Sequence, residues 1–198
     1  VIGPSSAVTL AEIARVWHRN PEELPADVDP AGVEVTSGFR PSPDNSPFSY
    51  ATHACVVRID PELGHVELLD YVISEDCGTI VNPMIVDGQI IGGALQGVGT
   101  ALYEESRYDA DGQPLSSTFA DYMMPGSTQL PNLRVDHLVT PSPLTEYGVK
   151  GLGEGGAIPP PAAIANAIND ALRGYGVEVT ETPVTPRRIL ETIAESKT

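Results

Sequence analysis

The chain has 198 residues, 41% of them hydrophobic, which is enough for one substantial core and excludes a disordered tail. Its formal charge of −16, from 27 acidic against 11 basic residues, repels a phosphate backbone and an anionic membrane surface alike, so neither is an expected partner. With only Cys55 and Cys77, the chain by itself can build neither a disulfide framework nor a Cys-ligated iron–sulfur cluster.

The sequence opens on Val1 instead of Met, the expected mark of a processed chain, a fragment or an unobserved start. It shows no basic-then-apolar leader and no apolar run long enough to span a bilayer, and so reads as soluble and cytoplasmic. Thr9, with Glu12 three residues on, predicts the N-cap of a helix over 8–18 whose apolar positions are Leu10, Ile13, Ala14 and Trp17. Positions 20–45 are rich in Pro, Asp, Glu and Ser, with strand-like character only over 33–39. Residues 1–48 are thus expected to form an N-terminal helix and extended arm that contacts a partner. The β-rich runs 49–59 and 66–73 flank Asp60-Pro61-Glu62-Leu63-Gly64, whose Pro and Gly supply turn chemistry, and predict a hairpin.

A polar turn from Ser74 leads to Asn82-Pro83, an N-cap and first residue for a helix running to about Glu105. That helix contains Gly88, Gly92, Gly93, Gly97 and Gly99, and each interior glycine costs about 1 kcal/mol relative to alanine. Close packing against another backbone or against a flat ligand would offset the loss, and Gln96 stands in this stretch as an uncharged polar group. Residues 107–109 and 115–118 flank Ala110-Asp111-Gly112-Gln113, a second hairpin signal. Phe119 to Met124 reads as a short helix or an extended piece, and the alternation over 133–140 as a strand. Mixed hairpins and helices make the fold class α+β, with 49–198 as the main domain.

The long loop 141–154 ends in Val149-Lys150-Gly151-Leu152-Gly153-Glu154-Gly155-Gly156-Ala157-Ile158. One carboxylate among four glycines reads either as a catalytic base held where backbone can approach a ligand, or as a flexible acidic surface loop. Helical periodicity over 159–172 puts Glu154 just before a helix N-terminus, where the dipole favours anions. A last short helix over 186–194 carries Ile189, Leu190 and Ile193 on one face.

The ordered segments DCGTIVNPMIVDGQIIGGALQGVGTALYEE, FADYMMP and TPSPLTEYGVKGLGEGGAIPPPAAIANAINDAL, following a hairpin, resemble the C-terminal part of the molybdopterin-binding subunit of the xanthine dehydrogenase, aldehyde oxidase and carbon monoxide dehydrogenase family, the molybdenum hydroxylases. The resemblance covers about 49–172. It implies that Glu154 is the family's general base, taking a proton from water-derived oxygen as that oxygen is transferred to an electron-poor carbon. It also implies that Gln96 lies beside the metal, its untitratable amide positioning oxygen. Asp76, Cys77, Gly78, Thr79 and Asn82 match a segment that in bacterial members borders the nucleotide half of the cofactor, and Gly97 and Gly153 border the same cofactor.

The implied cofactor is molybdenum–molybdopterin cytosine dinucleotide, its metal held by the pterin dithiolene, so that no side chain, Cys77 included, is expected as a metal ligand. His18, His53, His65 and His137 lack metal-binding spacing, and His53 reads as a core or interface histidine. Lys150 reads either as an anion holder near the site or as a loop lysine paired with a nearby acid. Implied partners are the remainder of the molybdenum subunit, an iron–sulfur subunit with [2Fe–2S] clusters, an FAD subunit and a small-molecule substrate. Family subunits are several times longer, so the chain is expected to be a piece of a split subunit or a fragment. The implied activity is hydroxylation of an aldehyde or N-heterocycle carbon. The alternatives are a carbon monoxide dehydrogenase-like piece and a scaffold module without catalysis.

Overall fold

The structure, a computed structural model, describes residues 7–28, 34, 36–38 and 46–196. They divide into two compact units, Val1–Ser42 and Pro43–Thr198. In the first unit, α1 (Leu10–Arg19) starts where the sequence predicts. The Thr9 hydroxyl accepts from the Glu12 amide and the Glu12 carboxylate accepts from the Thr9 amide, a capping box that satisfies two otherwise orphaned donors. Of the strand-like run 33–39, residues 34 and 36–38 are described and none of them is in a strand; the others lie outside the described residues.

The second unit is built on a three-stranded sheet. β1 (Tyr50–Asp60) and β2 (His65–Asp76) form the expected antiparallel hairpin, with Tyr50 opposite Asp76 and a bulge between Val56 and Val57. Asp60 Oδ1 closes the turn by accepting from the amides of Glu62 and Leu63. β3 (Leu133–His137) adds to the other edge of β2 in parallel, so that Glu75 stands beside His137. A parallel neighbour needs a long crossover, and residues 77–132 supply it. Most of that crossover is α2 (Pro83–Leu102), capped by Asn82 Oδ1, which accepts from the Ile85 amide.

α2 packs on α3 (Pro160–Leu172), and α3 lies against β1. Tyr71 and Ile73 of β2, Ile90, Ala94 and Val98 of α2, and Ile164 and Ile168 of α3 form the centre of the core, each no more than 1% exposed. α4 (Pro186–Glu195) adds Ile189 and Ile193 to the same core, and the chain before it is tied down by the Val184 amide donating to the Ala101 carbonyl.

Three details differ from the sequence reading. α2 ends at Leu102, because the Gly99 carbonyl receives the amides of both Tyr103 and Glu104 and the chain turns away. The second hairpin is short: the Gly112 amide closes its turn on the Asp109 carbonyl, and its strands pair at one bridge, Tyr108 to Pro114, flanked by the Leu115 amide donating to the Arg107 carbonyl and the Asp109 amide to the Gln113 carbonyl. Residues 119–121 form a turn that bends at Tyr122, whose hydroxyl donates to Glu104, and 123–124 are irregular.

Candidate active site

The glycines of α2 let the loop carrying Glu154 come into backbone contact. A Cβ on Gly93 would lie 3.0 Å from the Ala157 nitrogen, and one on Gly97 would lie 2.7 Å from Pro160 Cγ and 2.9 Å from the Ala157 carbonyl oxygen. From the loop side, a Cβ on Gly156 would lie 2.3 Å from the Ile90 carbonyl oxygen. The close packing predicted for a glycine-rich helix is therefore present, but at only part of the helix. Gly88 and Gly92 have no described atom within 4 Å of a would-be Cβ, and neither do Gly151 and Gly153 on the loop. These four positions leave room for a flat group or another segment.

Glu154 sits in consecutive turns between Leu152 and Pro160. Its carbonyl accepts from the amides of Ala157 and Ile158, and its side chain is exposed in this chain. Gln89 Nε2 donates to the Gly153 carbonyl at 2.6 Å, which ties the residue before Glu154 to α2. Gln96 stands two helical turns after Gln89, and seven residues at 3.6 per turn return to the same face, so Gln96 shares the stripe that touches the Glu154 loop. Gln96 is also exposed.

A second contact organises the turn after β2. The Thr79 amide donates to the Gly148 carbonyl and the Lys150 amide to the Cys77 carbonyl, so 77–79 and 148–150 are laced together. Gly78 and Gly148 both have φ of 71°, and a Cβ on Gly78 would fall 2.2 Å from the Gly148 carbonyl oxygen, so only glycine fits there. Beneath this lacing Asp76 is fully buried and accepts from the Gly78 amide at 2.8 Å, the Tyr50 hydroxyl at 2.9 Å and Lys150 Nζ at 3.0 Å. Burial opposes its ionisation, but hydrogen bonds from Thr140, Gly78, Lys150 and Tyr50 outweigh it and hold the carboxyl well below the usual carboxylate range. Lys150 is thus the lysine paired with a nearby acid, and its ammonium also lies 4.5 Å from the centre of the Tyr50 ring.

The residues singled out in the sequence fall into two groups. Asp76, Cys77, Gly78 and Gly97 are buried, and the Cys77 thiol is pushed upward in pKa mainly by that burial; they shape the backbone. Thr79 is half-buried, while Asn82, Gln96, Gly153 and Glu154 are exposed and can meet a ligand. His53 is half-buried, its Nδ1 3.0 Å from the Tyr71 hydroxyl, and burial lowers its pKa to about 4. Sequence reasoning missed Gln89, although its seven-residue spacing from Gln96 marks it. It also missed Glu75, a buried carboxyl with no hydrogen-bond partner among the described residues. Among the described residues no helix is long and apolar enough to cross a membrane.

The family model for the molybdopterin cofactor-binding domain matches residues 1–131. The large subunit of nicotine 6-hydroxylase from Paenarthrobacter nicotinovorans is 40% identical over 191 residues, 96% of this chain and 23% of that protein. The crystal structure of quinoline 2-oxidoreductase from Pseudomonas putida 86 is similar with a TM-score of 0.70 and 45% identity, over 72% of this chain and 18% of that one. Reconstituted CO dehydrogenase from Oligotropha carboxidovorans gives a TM-score of 0.82 at 29% identity, over 96% of this chain and 23% of that one. The chain spans about a fifth to a quarter of the length of these relatives. A glycine-spaced helix face, a carboxylate loop tied to it and these likenesses agree: the chain belongs to the molybdopterin cofactor-binding domain family, within the molybdenum hydroxylases.

Proposed function

We propose that this chain supplies the general base and part of the cofactor wall of a molybdenum hydroxylase that introduces water-derived oxygen at a carbon of an N-heterocycle or aldehyde. The observation that carries the reading is the tie between Gln89 and Gly153, which holds the Glu154 loop against the α2 face bearing Gln96. The residues present suit a molybdenum–molybdopterin group: Gly88, Gly92, Gly151 and Gly153 leave open space beside exposed hydrogen-bonding side chains.

When bound, the cofactor supplies two-electron oxidation of the substrate carbon. Glu154 takes the proton from the oxygen that is transferred, a task within reach of a weak base when a metal acidifies that oxygen. Gln96 orients the oxygen without competing for its proton. Thr79 and Asn82 border the nucleotide of a cytosine dinucleotide form of the cofactor. Asp76, Cys77 and Gly78 act from beneath by fixing the backbone that carries Thr79, and Gly97 by admitting the Glu154 loop.

The remainder of a molybdenum subunit, a [2Fe–2S] subunit and an FAD subunit complete the proposed assembly, with residues 1–48 as an arm for partner contact. The names of two relatives favour an N-heterocycle: nicotine 6-hydroxylase and quinoline 2-oxidoreductase are 40% and 45% identical over the matched regions, above the 29% of the CO dehydrogenase structure. Elemental analysis of the complete complex, with acid release of the nucleotide, tests the cofactor. Molybdenum together with a cytidine nucleotide is expected. Absence of molybdenum refutes the enzyme reading, and bare pterin removes the roles of Thr79 and Asn82.

A further inference from the structure

Glu75, next to the end of β2, is 1% exposed, and neither carboxyl oxygen has a hydrogen-bond partner among the described residues. On the neighbouring strand His137 likewise buries an unpartnered Nδ1, while its Nε2 lies 2.7 Å from Asp87 Oδ1 of α2. The register sets Glu75 beside His137, and paired residues of adjacent strands project to the same face of a sheet. Asp87, His137 and Glu75 therefore stand in a row from α2 to the interior, with no hydrogen bond between His137 and Glu75. At its inner end stands the loop of the general base: a Cβ on Gly155 would lie 2.8 Å from Glu75 Oε1, and Gly155 follows Glu154 directly.

A carboxylate buried without donors is costly, and such a group escapes the cost by keeping its proton. Every neighbour bears on that choice. Burial raises the Glu75 pKa most, a protonated His137 opposes the shift, and Asp76, next in sequence and negatively charged, adds to it. Across β1 the paired residue is Ala51, which brings no charge. Lys150 is committed to Asp76.

We propose that Glu75 is the positioning residue of Glu154, a carboxyl kept neutral beneath the base's loop by burial without a hydrogen-bond donor, whose ionisation displaces the base. The inference rests on reading Glu154 as that base. While Glu75 is neutral, the loop packs over it at contact distance. Once Glu75 ionises, its buried charge demands the water that the packed loop excludes, and the loop lifts. The proton released by Glu75 passes to water that enters as the loop lifts.

Two measurements on the complete complex test this. Infrared titration of the wild-type protein is expected to show a protonated-carboxyl band that persists at neutral pH and is absent from Glu75→Gln. The kcat/KM profile of the wild type is expected to fall on the alkaline side as Glu75 ionises, and Glu75→Gln, which keeps the shape but cannot ionise, is expected to lose that fall. Glu75→Asp, with the carboxyl drawn back from Gly155, is expected to retain the fall at a shifted pH. A band that titrates away near the ordinary carboxylate value of about 4 overturns the proposal, even if the variants fail to fold. Superimposable wild-type and Glu75→Gln profiles also overturn it, and if Glu154→Gln is inactive at the same time, the reading of Glu154 stands while this inference alone fails. A Glu154→Gln enzyme with normal turnover removes both.

Discussion

Replacing Lys150 with Met tests whether the buried lacing between 76–79 and 148–150 is held by charge. Lys150 and Asp76 expose 8% and 0% of their side chains, so methionine keeps the packing of the stem and leaves a buried carboxylate without its cation. Breaking a buried pair from one side costs about 3–5 kcal/mol. The Gly78 amide and Tyr50 hydroxyl still donate to Asp76, which places the expected loss near the lower bound, about 3 kcal/mol. At about 1–3 kcal/mol per molar urea, the unfolding midpoint should drop by roughly 1–3 M, read by circular dichroism. The pH dependence follows from the depressed Asp76 pKa. A lowered folded pKa contributes stability that is present above the unfolded value of about 4 and is lost as pH falls through the folded value. The gap between wild type and variant is therefore full at neutral pH and narrows below about pH 4. A loss under about 1 kcal/mol, or a gap that stays constant into acid, refutes the reasoning.

Two glycines of α2 should respond in opposite directions to alanine. Gly88→Ala meets no described atom within 4 Å and should raise stability by about 1 kcal/mol through helix propensity, whereas Gly97→Ala, pressed on Pro160 and Ala157, should lower it by about 1–3 kcal/mol; thermal unfolding of each decides. Gln89→Leu removes the donor on the Gly153 carbonyl and should lower kcat by roughly 10- to 100-fold through misplacement of Glu154, with molybdenum content unchanged, as steady-state kinetics and metal analysis would show.

Much of this arrangement is local chemistry and could be read from the sequence. Thr9 with Glu12, Asp60 to Gly64, and Asn82 with Pro83 each specify a cap or turn from neighbours a few residues away, and all three occur where expected. Gly93 and Gly97 announced a close approach, and the structure identifies its partner as residues 156–160. What stayed hidden depends on distant pairing. The parallel docking of β3 on β2 joins residues about 60 apart, and the alternation over 133–140 carries no information on its neighbour. Glu75 reads in sequence as one acid beside another. Only the register with His137 and the approach of Gly155 reveal that Glu75 is buried with nothing to bind, while Asp76, turned to the opposite side, finds Lys150. The second hairpin signal does produce its turn, but the strands pair only over the Tyr108–Pro114 bridge and its two flanking hydrogen bonds.

The central claim is that the Glu154 carboxylate accepts the proton of the oxygen being transferred, and Glu154→Gln in the complete complex, assayed for turnover and molybdenum together, tests it most directly. The account predicts a fall of at least about 10²-fold in kcat with full metal occupancy, since the amide keeps the shape of the side chain but cannot act as a base. A variant that turns over at near the wild-type rate with its molybdenum in place would contradict it.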